Sequence, residues 1–222
     1  MYELNNNAQL VLASQSPRRL ELLKLFDYQF QVEPANIDEG KNNDESPNSY
    51  AKRIALSKTL KVSKTHLNDS IVIGADTIVI QDNQVIGKPD NNTEARRMLM
   101  QLQGKKHQVV TAIAIYFGNT GITSQELCET NVKMRNMTEE EIAEYVSTGE
   151  SLDKAGAYAI QNIKFRPAAP IDGCLANVIG LPLCHMTRAL YNNNINFDKD
   201  IAEKCQDHLN YNCPVYKSIL QS

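Results

Sequence analysis

The sequence predicts an α/β fold. Short runs rich in Val, Ile and Leu recur along its 222 residues, and helix-start signals such as Ser-Pro and Thr-Glu-Glu-Glu fall between them. Apolar residues make up 42% and charged residues 22%, close to the about 45–50% and about 25% of ordinary globular chains, so an ordered core is expected.

The first element is a short buried strand at residues 9–13, Gln-Leu-Val-Leu-Ala. Ser16 is placed to cap the helix that follows over residues 18–26, and Pro17 fits its first position, where a missing N–H costs nothing. Residues 33–48 are polar and irregular, and Ser46-Pro47 opens a second helix to about Val62. Residues 71–80 form a β-rich run that Gly74-Ala75-Asp76-Thr77 should interrupt. Asp82-Asn83-Gln84 reads as a turn into Val85-Ile86-Gly87-Lys88-Pro89, and Asn92 or Thr93 as the cap of a third helix to Leu102. Strands follow at 109–117 and 122–134, then a capping box at Thr138 with Glu141 opens a helix to Ser147. Residues 153–160 and 174–179 are expected as strand, 183–191 as helix, and 198–209 as a helix in a C-terminal appendage beginning at residue 192.

The chain carries 22 Asn, with runs at 5–7 and 192–194. They are spread in short groups, which fits loops and turns better than a low-complexity tract. The formal net charge of −3 argues against a general nucleic-acid binder but leaves room for a focused anion pocket. No apolar run reaches about 18 residues, and the N-terminus has no basic start or apolar core, so neither a membrane span nor a secretory leader is expected. Five Cys at irregular spacings fit reduced thiols and a cytoplasmic protein. Cys205, His208 and Cys213 lack a fourth ligand at zinc-site spacing and read as packing residues.

Four segments carry chemistry-bearing residues. Ser14-Gln15-Ser16-Pro17-Arg18-Arg19 joins a strand to a helix start and suits a phosphate, or else is a capped surface helix with solvated arginines. Asp76 lies within an apolar run, where an acid needs a partner, a metal or a kink; general base, magnesium ligand and turn cap all remain open. Lys88 could meet a phosphate, although an exposed surface lysine is the simpler reading. Gln161, after Asp153-Lys154-Ala155-Gly156-Ala157-Tyr158-Ala159-Ile160, offers donor and acceptor to a nucleobase edge. The chain has no P-loop, no G-x-G-x-x-G and no G-x-S-x-G. His107, beside a strand, reads as a packing residue, and Cys174 as a strand-packing thiol.

Taken in order, Ser-Gln-Ser-Pro-Arg-Arg, Ile37-Asp38-Glu39, Ala55-x-x-Lys58, Gly-Ala-Asp-Thr-Ile-Val, Gly-Lys-Pro, Gly104-x-x-His107-x-Val109-x-Thr111, Asp-Lys-Ala-Gly-Ala-Tyr-Ala-Ile-Gln and Val-Ile-Gly-Leu-Pro-Leu closely resemble the Maf family of nucleoside triphosphate pyrophosphatases, from Leu10 to about Leu190. The resemblance implies a mixed twisted sheet flanked by helices, with two lobes around a cleft, related to the inosine triphosphate pyrophosphatases. It implies a domain over 1–191, an extension over 192–222, and metal-dependent hydrolysis of a nucleoside triphosphate to monophosphate and pyrophosphate, a house-cleaning role. By position, Asp76 would be the proton acceptor, Glu39 and Asp76 would hold a divalent cation (Mg or Mn), and Ser14, Arg19, Lys58 and Lys88 would line the triphosphate. Arg18, Thr77 and Gln161 would set base preference. Ser-Pro-Arg-Arg, Ala-Asp-Thr and the absence of Trp resemble the dTTP/UTP group rather than the 7-methyl-GTP group. Asn162 stands where the family usually has Gly, and Cys174 replaces a common Ser or Thr, so modified pyrimidine nucleotides are further substrates to consider. A nucleotide-binding regulator of septum formation is the alternative of a different class. The partners implied are the nucleotide, no nucleic acid, no membrane, with room for a homodimer.

Overall fold

A computed structural model describes residues 2–3, 9–66, 69–196 and 200–221. In chain order the elements are β1 (Tyr2–Glu3), β2 (Gln9–Leu12), α1 (Pro17–Leu23), β3 (Phe30–Val32), α2 (Pro47–Ser63), β4 (Ser70–Gln81), β5 (Gln84–Ile86), α3 (Asn92–Leu102), β6 (Lys106–Phe117), β7 (Ile122–Met134), α4 (Glu139–Ser147), β8 (Ala168–Asp172), α5 (Leu175–Ile179), α6 (Leu183–Asn192), β9 (Ile195–Asn196), α7 (Ile201–Leu209) and α8 (Tyr216–Leu220). A mixed seven-stranded sheet runs β3-β2-β4-β6-β7-β8, with β5 on β4. The first three strands are parallel, and the remaining pairs are antiparallel. β1 pairs with β9 as a separate ribbon.

β4 organises the sheet, and its alternation sorts the core. Val72, Ile78 and Ile80 face α2, where they meet Ala51, Ala55 and Val62. Ile71, Ile73 and Ala75 face the other way, into a core with Leu22, Leu23, Ile179 and Met186. Val79 belongs to a second core on that face, with Leu99, Leu102, Ile142 and Tyr145 from α3 and α4. The two cores are the two lobes that the sequence resemblance implies, and they part at Thr77, between Ala75 and Val79.

The β-rich run does not break at Gly74-Ala75-Asp76-Thr77: β4 is one continuous strand of 12 residues. Gly74 is required by packing. A Cβ built there would lie 2.3 Å from Thr59 Oγ1 and 2.8 Å from the Ala55 carbonyl. The bare backbone lets α2 lie directly on the strand. Thr59 Oγ1 donates to the carbonyls of Ala55 and Ala114, both at 3.0 Å, which closes the contact.

Other boundaries differ from expectation for local reasons. Asn91, not Asn92 or Thr93, caps α3, its side chain accepting from the Glu94 N–H at 3.0 Å. Ser16 stands at the cap of α1 without a capping bond; Ser14 Oγ accepts the Ser16 N–H instead. Residues 153–160 form a loop with a 3₁₀ turn at Ala155–Ala157, and residues 174–179 are the cap and body of α5, while the strand of this region is β8. The β-branched Val178 and Ile179 suggest a strand, but tertiary contacts decide. Buried Asn177 donates to the Val109 carbonyl and Thr130 Oγ1, both at 2.9 Å, and its own carbonyl accepts from Thr111 at 2.8 Å. The predicted helix start at Asp198 lies outside the described residues; α7 begins at Ile201. Ile195, Ile201 and Cys205 join the first core, so the described part of the C-terminal segment packs on the body. No helix among the described residues is long and apolar enough to cross a membrane.

His107 is buried, with Nε2 2.7 Å from Tyr158 Oη. Burial pushes its pKa from 6.5 down to about 4. The folded state therefore favours the neutral ring, and the unfolded state binds the extra proton as pH falls below about 6.5. Stability is fully present above 6.5 and drains away toward pH 4. The urea midpoint is expected to fall across that window, and less steeply in His107→Gln; equal slopes would contradict the assignment. Gly74→Ala should cost about 1–3 kcal/mol in the same measurement, the range for overpacking a tight contact. A neutral result would show that α2 can lift off β4 freely.

Candidate active site

The site begins at a gap in the sheet. β2 pairs with β4 only as far as Ile73, and β5 rejoins it only at Val79. Between them no strand among the described residues pairs the β4 edge on that side, although β6 pairs it throughout on the other. A cleft of about 860 Å³ opens here. Its walls come from the loop after β2, the Glu39 loop, α2, the segment after β5 and residues 150–164. Crevices beyond the carboxyl ends of parallel strands are the usual ligand sites of α/β sheets.

Asp76 faces α2, two residues beyond Gly74 on the same side of the strand. It is buried, and its partner is Lys58 from α2, whose Nζ lies 2.8 Å from Asp76 Oδ1. The same Nζ lies 2.9 Å from Glu39 Oε1. One buried ammonium thus bridges two carboxylates. The other oxygen of Asp76 has no hydrogen-bond partner among the described residues, and Asp76 lines the cleft. Partial burial would raise the Glu39 carboxyl, but the hydrogen bond and charge of Lys58, with Lys88 and Arg19 nearby, outweigh it and hold the group below its ordinary range.

Arg19, on α1, is placed by a three-way bracket. Nε donates to the Gly180 carbonyl at 2.9 Å, Nη1 to Ser14 Oγ at 3.2 Å and Nη2 to Thr77 Oγ1 at 3.1 Å. Gly180 has φ +123, and a Cβ there would lie 3.2 Å from Thr77 Oγ1, so only glycine suits the bracket. Thr77 is steadied in turn by Thr111 Oγ1 at 2.9 Å. All three acceptors are neutral, and no carboxylate among the described residues forms an ion pair with Arg19. Burial pushes the guanidinium pKa down, partly offset by the charge of Asp76.

Lys88, after β5, is exposed at the cleft and makes no ion pair among the described residues. Arg18 lies at the cleft with Asp153 Oδ2 at 3.2 Å, a partly exposed pair of little energetic weight. Gln161 is exposed on the far wall. All the residues predicted from the sequence, Ser14, Arg18, Arg19, Glu39, Lys58, Asp76, Thr77, Lys88 and Gln161, therefore line one cleft.

Sequence reasoning missed the groups that hold the Glu39 loop. Tyr50 Oη donates to the Glu39 carbonyl at 2.8 Å, and Arg53 Nη2 to the Gly40 carbonyl at 2.8 Å. Arg53 also grips both oxygens of Glu45 at 2.8 Å. Their signal was available only as helical spacing, since Tyr50, Arg53 and Lys58 share α2. Lys154, at the cleft, was likewise not singled out. Cys174 is buried at the cap of α5 rather than in a strand, and hydrogen bonding with Cys128, together with burial, pushes its thiol up.

The curated dTTP/UTP pyrophosphatase of Koribacter versatilis is 42% identical over 190 residues, covering 86% of this chain and 97% of that protein. That of Vibrio cholerae is 40% identical over 184 residues, covering 83% and 97%. That of Shewanella denitrificans is 45% identical over 189 residues, covering 81% and 93%. The family profile described as Maf-like protein matches residues 9–193, the span that contains the β4 gap and every cleft residue named above. With that match and relatives at this level over most of its length, the chain belongs to the Maf-like protein family.

Proposed function

We propose that residues 1–191 form a nucleoside triphosphate pyrophosphatase domain, with 192–222 as an extension, and that the cleft hydrolyses dTTP and UTP to the monophosphate and pyrophosphate in the cytoplasm. The names of the relatives support the substrate class. The observation that carries the reading is the juxtaposition of a carboxylate pair with cations that no carboxylate among the described residues neutralises. Asp76 and Glu39 share Lys58, while Arg19 and Lys88 lack carboxylate partners among the described residues.

The donor set fits a divalent cation brought in with its substrate. No three His, Cys, Asp or Glu side chains among the described residues form a self-contained metal site. One lysine between two carboxylates still leaves a negative charge uncompensated. Magnesium is commonly held by one or two carboxylates together with substrate phosphates, and Glu39 and Asp76 supply those oxygens. When bound, such a cation neutralises phosphate charge and makes water more acidic.

The chain's own residues do the rest. Arg19, fixed by Gly180, Ser14 and Thr77, holds phosphate oxygens as a planar fork, and Ser14 adds a hydroxyl beside it. Lys88 supplies a second positive charge. Lys58 holds Asp76 Oδ1, so the remaining carboxylate oxygen is presented to the cleft. That oxygen takes the proton of the attacking water, whose oxygen bonds to the α-phosphorus as the bond to the bridging oxygen breaks and pyrophosphate leaves. The cations stabilise the charge that builds on the leaving group. Arg18 and Gln161 meet the base, and Thr77 contributes by fixing Arg19.

The test is pyrophosphate release from dTTP, UTP, CTP and 7-methyl-GTP with Mg or Mn. Release is expected from dTTP and UTP, and chelation of the cation should abolish it. Release of inorganic phosphate alone, a preference for 7-methyl-GTP, or turnover untouched by chelation would contradict the proposal.

A further inference from the structure

The far wall of the cleft is a loop anchored at both ends. At one end the Ala159 N–H donates to Tyr145 Oη at 2.7 Å. At the other, Arg135 donates to the Phe165 carbonyl at 3.0 and 2.9 Å, and the Phe165 ring meets Tyr145 edge-on at 5.1 Å. Between the anchors Asn162 ties a knot of four hydrogen bonds. Its N–H donates to the Ala159 carbonyl at 3.1 Å, and its own carbonyl accepts the Arg166 N–H at 3.0 Å. Its Oδ1 accepts the Phe165 N–H at 2.8 Å, and Nδ2 donates to Glu150 Oε2 at 2.9 Å. The backbone of Glu150 is held in its own turn, its carbonyl accepting from Lys154 Nζ at 2.6 Å.

The side chains on either side of this knot are left free. Gln161 has no hydrogen bond among the described residues, and Ile163 is 80% exposed. Glu150, Gln161, Asn162 and Ile163 all line the cleft. A glutamine amide discriminates a base edge only if the backbone beneath it is fixed, because a loose loop lets the amide satisfy any edge. The Asn162 side chain supplies that fixity through two bonds that a glycine or alanine could not make.

We propose that Asn162, tied to Glu150, is a positioning residue for base selection: it holds Gln161 in register with the pyrimidine of the bound nucleotide. This rests on the reading of the cleft as a pyrimidine nucleotide site. Neither Asn162 nor Glu150 hydrogen-bonds Asp76, Lys58 or Arg19, so the chemical step is separate from the knot.

The test compares kcat and KM for dTTP, UTP and dGTP in the wild type, Asn162→Ala, Glu150→Ala and Glu150→Gln. Asn162→Ala and Glu150→Ala should raise KM for dTTP and UTP roughly three- to tenfold, the effect of one ordinary hydrogen bond, with kcat within about twofold. Preference over dGTP should narrow in both. Glu150→Gln keeps an acceptor oxygen in place and should stay near the wild type, a rescue that general loosening of the fold would not give. Unchanged nucleotide preference in both alanine variants, or a fall in kcat at constant KM, overturns the inference. A wild type that releases pyrophosphate from none of the three nucleotides overturns the parent reading, and this one with it.

Discussion

The architecture depends on the close approach of one helix to one strand. At Gly74 the backbone of β4 is in contact with α2, with no room for a methyl group between them. That contact sets the height of the helix above the sheet, and so where Lys58 ends. Asp76 stands on the same face two residues on, and its carboxylate meets the ammonium at 2.8 Å. A buried lysine or aspartate alone would be costly; the pair is tolerable because each satisfies the other. Breaking it by removing one partner would strand the other charge. α2 also carries Tyr50 and Arg53, which hold the Glu39 loop, so a single packing contact positions both carboxylates.

The second constraint is the gap in the β4 edge. An unpaired stretch of strand inside a sheet is normally a liability. Here it is the floor of the cleft, flanked by two cores that approach each other without merging. The first core carries α1 and α5, hence Arg19 and its Gly180 acceptor. The second carries α3 and α4, hence Tyr145 and the loop that holds Gln161. Arg18 and Arg19 thus stand on one lobe and Gln161 on the other, so a ligand that spans the cleft touches both.

Much of this was legible in the sequence. β2, α2, the hairpin turn, β6, β7 and the Thr138 capping box follow from alternation, Ser-Pro and capping chemistry, which are local signals. The side chains of the site were legible as ordered motifs, but their convergence was not: Lys58 and Asp76 are 18 residues apart, and Arg19 and Gly180 are 161 apart. Gly74 read as a break in a strand because sequence cannot tell a glycine that bends the chain from one that admits a neighbour. Residues 174–179 read as strand because Val178 and Ile179 favour it, while the buried hydrogen bonds of Asn177 that make them a helix are long-range. The asparagines divide along the same line. Asn83, Asn194 and Asn210 take positive φ in turns, as composition suggests. Asn91 caps a helix, and Asn162 and Asn177 are structural knots that only tertiary contacts reveal.

The proposed mechanism turns on Asp76, held by Lys58 and set beside the cation, as the proton acceptor of the site. Asp76→Asn keeps the shape and removes the base. Single-turnover release of pyrophosphate from dTTP, measured beside equilibrium binding of dTTP to the same variant, separates the two roles. Turnover should fall roughly 10²–10⁴-fold, the usual contribution of a general base, with affinity within a few-fold of the wild type. Turnover close to that of the wild type would contradict it.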